Sequence, residues 1–143
     1  MVFDSCLEKQ NRLKLDFAPL SPEAKYQKII EMGRELPPFN PAAKTADHLI
    51  SGCQSLLYLE TRHERGKLYF NADSEALISK GLAALLIAIY SSEEAVVIAE
   101  CPPGFIKEIG LHTALSPSRS SGLAHLYHRM RQEALMIQTP NHC

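Results

Sequence analysis

The run Leu77-Ile78-Ser79-Lys80-Gly81-Leu82-Ala83-Ala84-Leu85-Leu86-Ile87-Ala88-Ile89-Tyr90 constrains the fold more than any other part of the chain. At helical spacing Leu77, Ile78, Gly81, Leu82, Leu85, Leu86 and Ile89 form one stripe, and Ala83, Ala84, Ile87 and Ala88 fill much of the remaining surface. A helix apolar nearly all round must lie inside something, either a bilayer or a protein core. Its most apolar part, Gly81 to Tyr90, is about half of the roughly 20 residues that a membrane span requires. This helix is therefore expected as the central buried element of a globular core, and the rest of the chain as its covering.

The covering is of ordinary size. The 143 residues suit one domain (1–143), with a core expected over about 20–138, an N-terminal arm and a C-terminal tail. Hydrophobic residues make up 45% and charged residues 22%, which disfavours a disordered or fibrous chain. A formal charge of −1 provides no strong field for nucleic acid or anionic lipid, and the absence of Trp weakens any base-stacking role. Asp4, Glu8, Lys9 and Arg12 interrupt the N-terminal apolar residues, so the pattern of a secretory leader is missing and a cytoplasmic protein is expected.

Residues 1–20 are weakly patterned and read as a short helix or an arm. Ser21 as N-cap, Pro22 at the first helical position and Glu23 in the first turn start a helix, which Pro37-Pro38 stops. Thr45 to Ile50 reads as a short extended segment. Leu56 to Thr61 and Lys67 to Asn71 read as the two strands of a hairpin, turning through residues 62–66. Asp73 or Ser74 is expected to cap the central helix. Ser92-Glu93-Glu94 would begin a further helical piece, and a short helix is expected over Phe105 to Ile109. A last helix from Ser120 or Ser121 to about Ile137 would bury Leu123, Leu126, Tyr127, Met130, Ala134 and Ile137. The order implies an α+β domain, a small antiparallel sheet packed against several helices.

Cys6, Cys53, Cys101 and Cys143 are spaced more than 40 positions apart, which excludes Cys-x-x-Cys redox and zinc-ribbon motifs. Free thiols are the expectation in a reducing compartment. Cys53 lies in Ser51-Gly52-Cys53-Gln54-Ser55, between an extended segment and a strand. Two readings of it stand side by side. Gly52 and the small polar neighbours suit a tight loop that projects an accessible, reactive thiol. Equally, Cys is among the most buried residue types and can serve as packing at a strand start.

Four blocks in order, covering most of residues 22 to 135, bear on that choice. They are residues 26–38 (Tyr-Gln-Lys-Ile-Ile-Glu-Met-Gly-Arg-Glu-Leu-Pro-Pro), Gly52-Cys53-Gln54-Ser55, Ala72-Asp73-Ser74 with Lys80-Gly81-Leu82, and Leu115-Ser116-Pro117-Ser118-Arg119-Ser120-Ser121-Gly122-Leu123. Together they resemble the SufE family of sulfur acceptors in iron–sulfur assembly. The resemblance implies the α+β fold shared with IscU-type scaffolds and one acceptor cysteine, here Cys53. It also implies a SufS-like cysteine desulfurase as sulfur donor and a SufB-like iron–sulfur scaffold as recipient. Pyridoxal phosphate would belong to the donor, and the chain itself would carry no cofactor except a persulfide held covalently on Cys53. Neither nucleic acid nor membrane is an expected partner, and the chain would be a monomer or weak homodimer. The sequence departs from the family pattern at His48, where Asn is common, and at Leu57-Tyr58, where Val-Trp is frequent.

Gly52, Gln54, Ser55, His48 and Arg119 are the supporting candidates around Cys53. Arg119 could stabilise a thiolate or serve as a structural Arg bonding loop carbonyls. Asp73 reads as a helix cap, His125 and His128 as a solvated helix face, and Cys101 as packing. Two other functions compete with sulfur acceptance. An iron–sulfur scaffold needs several converging thiolate or imidazole ligands, and a cysteine-nucleophile hydrolase needs a His beside Cys53, with His48 and His63 nearest in sequence.

Overall fold

A computed structural model of the chain describes residues 3–50, 55–110 and 117–138. Its centre is the helix α3 (Leu77–Tyr90), in which Ile78, Gly81–Leu86, Ile89 and Tyr90 are all buried. Only Leu77 of the apolar stripe stays exposed, at the N-terminal end. The central buried helix inferred from the sequence is thus present, and α1 (Asp4–Phe17), α2 (Pro22–Arg34), a three-stranded sheet and the last helix surround it.

α2 begins as its sequence requires. Ser21 is extended (φ −66°, ψ 162°) and its hydroxyl accepts from the Ala24 amide at 3.2 Å, with Pro22 following. Its inner face carries Ile29 and Gly33 onto α3.

The sheet has the order β1-β2-β3 and is antiparallel throughout. β1 (Leu57–Glu64) and β2 (Lys67–Ser74) pair from Leu57↔Ser74 to Glu64↔Lys67. Alternation sends Leu57 and Leu59 of β1 and Leu68, Phe70 and Ala72 of β2 into the core, as period-two patterning demands. Both strands run longer than the sequence reading. The expected five-residue turn over 62–66 contracts to Arg65-Gly66, whose φ values of 53° and 82° match the left-handed pair of a tight hairpin. The strands gain pairs out to Glu64 and Lys67 because cross-strand hydrogen bonding outweighs the polarity of Arg62, His63 and Glu64.

Four further expectations are corrected. Residues before 20 form a helix, the first of the two readings, and no arm: α1 is 14 residues long, and Cys6, Leu13 and Phe17 join the core, which therefore starts well before residue 20. Sparse apolar residues hid this, since one narrow stripe suffices when a buried glutamine completes it. Gln10, 3% exposed, donates to the Pro102 carbonyl (3.1 Å) and to the Cys6 and Cys101 sulfurs (3.5 and 3.6 Å), and accepts from the Phe105 amide (3.2 Å). Asp73 and Ser74 do not cap α3; both still belong to β2, and Ala76 occupies the N-cap position without a side-chain bond. Ser92-Glu93-Glu94 does not open a helix. Ser92 adopts φ 66°, Glu93–Glu94 form β3 beside Lys67 and Leu68, and α4 (Ala95–Glu100) starts afterwards. Thr45 to Ile50 is not all extended, because Ala46–His48 form a 3₁₀ turn.

α5 (Phe105–Glu108) follows α4, and α6 (Pro117–Gln138) begins earlier than Ser120. The α6 stripe holds at Leu123, Leu126, Met130 and Ala134, which are buried, while Tyr127 and Ile137 are only partly buried and His125 and His128 are exposed opposite. Glu93, 5% exposed, is matched by Lys9 at 2.6 Å and the Ser5 hydroxyl at 2.9 Å. The same Lys9 ammonium donates to the Ser91 carbonyl at 3.1 Å, placing a cation at the C-terminal end of α3 where the helix dipole favours one. No described helix is long and apolar enough to cross a membrane.

Candidate functional site

Gly52, Cys53 and Gln54 lie outside the described residues, as does the side chain of Arg119; the geometry of the candidate site is therefore that of the framework flanking residues 51–54. That framework is built on β1. Leu49 pairs with Tyr58 in an antiparallel bridge, and the Ile50 amide donates to the Leu57 carbonyl at 2.8 Å. Residues 49–50 and 57–58, on either side of residues 51–56, are thus neighbours at one edge of the sheet. On the return side, the Ser74 hydroxyl donates to the Leu56 carbonyl at 2.6 Å and accepts from the Ala76 amide at 3.2 Å. Ser55 is half-buried, whereas Leu56 is 55% exposed.

The entry side is held from three directions. His48 braces its own turn: Nδ1 donates to the Ala43 carbonyl at 2.6 Å and lies 3.3 Å from the Thr45 hydroxyl. This bond commits the Nδ1 proton to the backbone and fixes the tautomer of the neutral ring. Asp73 of β2 binds Lys44 (2.8 Å) and Lys80 (3.2 Å), joining that turn to the sheet and to α3. Burial by itself pushes the Asp73 carboxyl up, but hydrogen bonds from the two ammonium groups outweigh it and leave the carboxyl below its ordinary value. The third hold is Arg129, whose guanidinium reaches from α6 to the Asp47 and Leu49 carbonyls.

Of the residues singled out in the sequence, His48 therefore lies in the turn that leads into the loop, and Asp73 has partners other than the helix end expected for it. Arg129 is the residue that sequence reasoning overlooked. An Arg four positions before Glu133 reads as an ordinary surface pair, and nothing in the sequence says that it spans 80 positions to a loop stem. The two described cysteines are not at the site. Cys6 and Cys101 are buried in the core with Gln10 between them. Burial, then the neighbouring Cys101 thiol, push the Cys6 thiol up to about 12, so thiolate is scarce there at neutral pH.

The framework is a braced sheet edge flanking Cys53 in sequence, with the described thiols kept inert elsewhere, and comparison with known proteins gives the chain a family. The SufE family profile, described as an Fe-S metabolism associated domain, matches residues 11–134. The chain belongs to the SufE family. Among SufE relatives, the sulfur acceptor protein CsdE of Escherichia coli is 40% identical over 114 residues, covering 78% of each chain. An uncharacterized SufE-like protein of Synechocystis is 33% identical over 117 residues, 82% of this chain and 74% of the other. SufE-like protein 1 of Arabidopsis thaliana, chloroplastic/mitochondrial, is 32% identical over 130 residues, 90% of this chain but 35% of that longer protein. In three dimensions the fold is similar to the solution structure of a hypothetical protein from Thermus thermophilus, with a TM-score of 0.77 at 25% identity, covering 92% of this chain and 97% of that one. The α+β fold expected from the sequence and the SufE resemblance both hold.

Proposed function

We propose that this SufE-family chain accepts sulfur from a PLP-dependent cysteine desulfurase onto Cys53 and hands it to an iron–sulfur assembly scaffold, stimulating the desulfurase by clearing its product. The observation that carries this reading is the 40% identity to a protein named a sulfur acceptor, together with the family match across residues 11–134 that contains the Gly52-Cys53-Gln54-Ser55 segment.

The chemistry is thiol–disulfide exchange. The Cys53 thiolate attacks the outer sulfur of a persulfide on the donor cysteine. One S–S bond forms to Cys53 as the old one breaks, and the donor keeps the departing electron pair as its thiolate. Cys53 then carries the S–S–H group, with no net change in electrons. The rate rises with thiolate fraction and access at the attacking cysteine and with a low pKa at the leaving one. The flanking framework supports such a role because the described residues on both sides of Cys53 are anchored to the sheet, by Ile50–Leu57 and by Ser74–Leu56. The proposed recipient is SufB-like, and the proposed site of action cytoplasmic.

Incubation with a desulfurase, L-cysteine and limited reductant, followed by intact-mass measurement, tests the reading. Wild type is expected to gain one sulfur, and Cys53→Ala none. Equal sulfur uptake by both proteins, or none by wild type, would reject it.

A further inference from the structure

Arg129 of α6 is bound to more of the molecule than a surface arginine needs. Nη1 donates to the Leu49 carbonyl at 3.3 Å, Nη2 donates to the Asp47 carbonyl, and Nε lies 3.7 Å from the Glu133 carboxylate. Glu133 in turn accepts from the Thr61 hydroxyl of β1 at 2.5 Å. Thus β1, α6 and the entry stem of residues 47–50 are joined through one guanidinium and one carboxylate. Both groups are about three-quarters buried (27% and 23% exposed), so water competes for them only in part. Beside them a cavity of about 150 Å³ is lined by Ile50, His125, His128, Arg129 and Gln132.

We propose that Arg129, steered by Glu133 and Thr61, is a positioning residue for sulfur acceptance, acting on the entry stem of residues 47–50 that precedes Cys53. The inference rests on the reading of Cys53 given above. The exit stem needs no such device, since Ser74 already holds Leu56 from within the same hairpin. On its sheet side the entry stem is held by the Leu49–Tyr58 bridge and the Ile50–Leu57 bond, with Asp73 holding the preceding turn through Lys44. Its other side faces α6, and Arg129 occupies that side. A planar fork with several fixed donors can grip two carbonyls and a carboxylate at once, which an ammonium on a flexible stem cannot. Fixing the stem sets the point from which the chain continues toward Cys53. Transfer between two protein-bound sulfurs needs that departure point constant, because misplacement by about 1 Å can cost up to about a hundredfold in rate. A small diffusing reagent has no such requirement.

This difference provides the test. In the full-length protein, Arg129→Gln is expected to slow sulfur transfer from a desulfurase charged with L-cysteine about tenfold. Alkylation of Cys53 by monobromobimane should stay within about twofold of wild type, and hydrogen exchange of the Ile50 amide should accelerate. Arg129→Lys should recover only part of the transfer rate. Wild-type transfer by Arg129→Gln, equal slowing of transfer and alkylation, or unchanged exchange at Ile50 would each overturn the proposal. If wild type itself takes up no sulfur, the reading of Cys53 fails. If wild type loads normally and Arg129→Gln does too, only the positioning role fails.

Discussion

At the scale of single residues, Asp73 is the clearest case of a side chain whose chemistry is set by its surroundings. A carboxylate ahead of a helix suggests a cap, yet here two lysines, Lys44 and Lys80, claim it. Its lowered pKa means that the ion pairs favour folding above the ordinary carboxylate value near 3.9 and lose that contribution as pH falls through the lower folded value. Asp73→Asn is therefore expected to reduce the urea midpoint at pH 7 by roughly 0.3 M, the size of a partly screened pair. The gap should narrow as pH falls from the ordinary carboxylate value through the lower folded one, where the wild-type carboxyl takes up its proton. Paired denaturation curves at pH 7 and pH 3 measure this, and a gap independent of pH would contradict it. His48 shows the opposite situation, since its nearness to the loop follows from the order of residues while its bond to the Ala43 carbonyl does not.

At the scale of elements, the crossing of α2 and α3 explains Gly33 and Gly81, the second of which sequence patterning counts only as a small member of an apolar stripe. A Cβ on Gly33 would stand 2.7 Å from the Gly81 nitrogen and 2.9 Å from its Cα; one on Gly81 would stand 2.7 Å from the Ile29 carbonyl carbon. The obstacles are backbone atoms, which cannot swing aside. Alanine in a helix interior gains about 1 kcal/mol over glycine from propensity, but overpacking a tight contact costs about 1–3 kcal/mol and sometimes more. Overlap of this depth belongs at the upper end, so Gly81→Ala is expected to destabilise by roughly 2 kcal/mol and lower Tm by several degrees. Thermal unfolding followed by circular dichroism decides it, with a raised Tm showing that propensity wins. The double variant with Gly33→Ala should cost less than the two separate losses combined, because both relieve the same crossing by moving the helices apart.

For the whole molecule, the distribution of thiols is the informative pattern. Cys6 and Cys101 come from distant parts of the chain and meet around Gln10, with the Tyr90 hydroxyl donating to the Cys101 carbonyl at 2.6 Å. Burial raises the Cys6 thiol to about 12 and closes off access at once. In the native protein at pH 8, Ellman's reagent is expected to leave Cys6 and Cys101 unmodified, with modification appearing only as urea unfolds the chain. Peptide mapping of labelled sites checks this, and modification of either residue at the rate of the unfolded chain would refute it. Under the proposed sulfur-acceptor role such an arrangement is useful, because inert core thiols cannot divert a persulfide from its intended acceptor.

Local sequence determined the helix α2, the hairpin, the buried character of α3 and the amphipathic face of α6. In each, the signal lies within a few residues: a cap, an alternation, a 3.6-residue stripe. The motif around Cys53 was equally legible, being a contiguous string. Tertiary structure alone decided that α1 belongs to the core, that Asp73 binds lysines, that two glycines mark a helix crossing, and that Arg129 reaches the loop stem. All four depend on partners separated by many positions in the chain, through hydrogen bonds and steric exclusion that act at contact distance and leave no periodic trace in the order of residues.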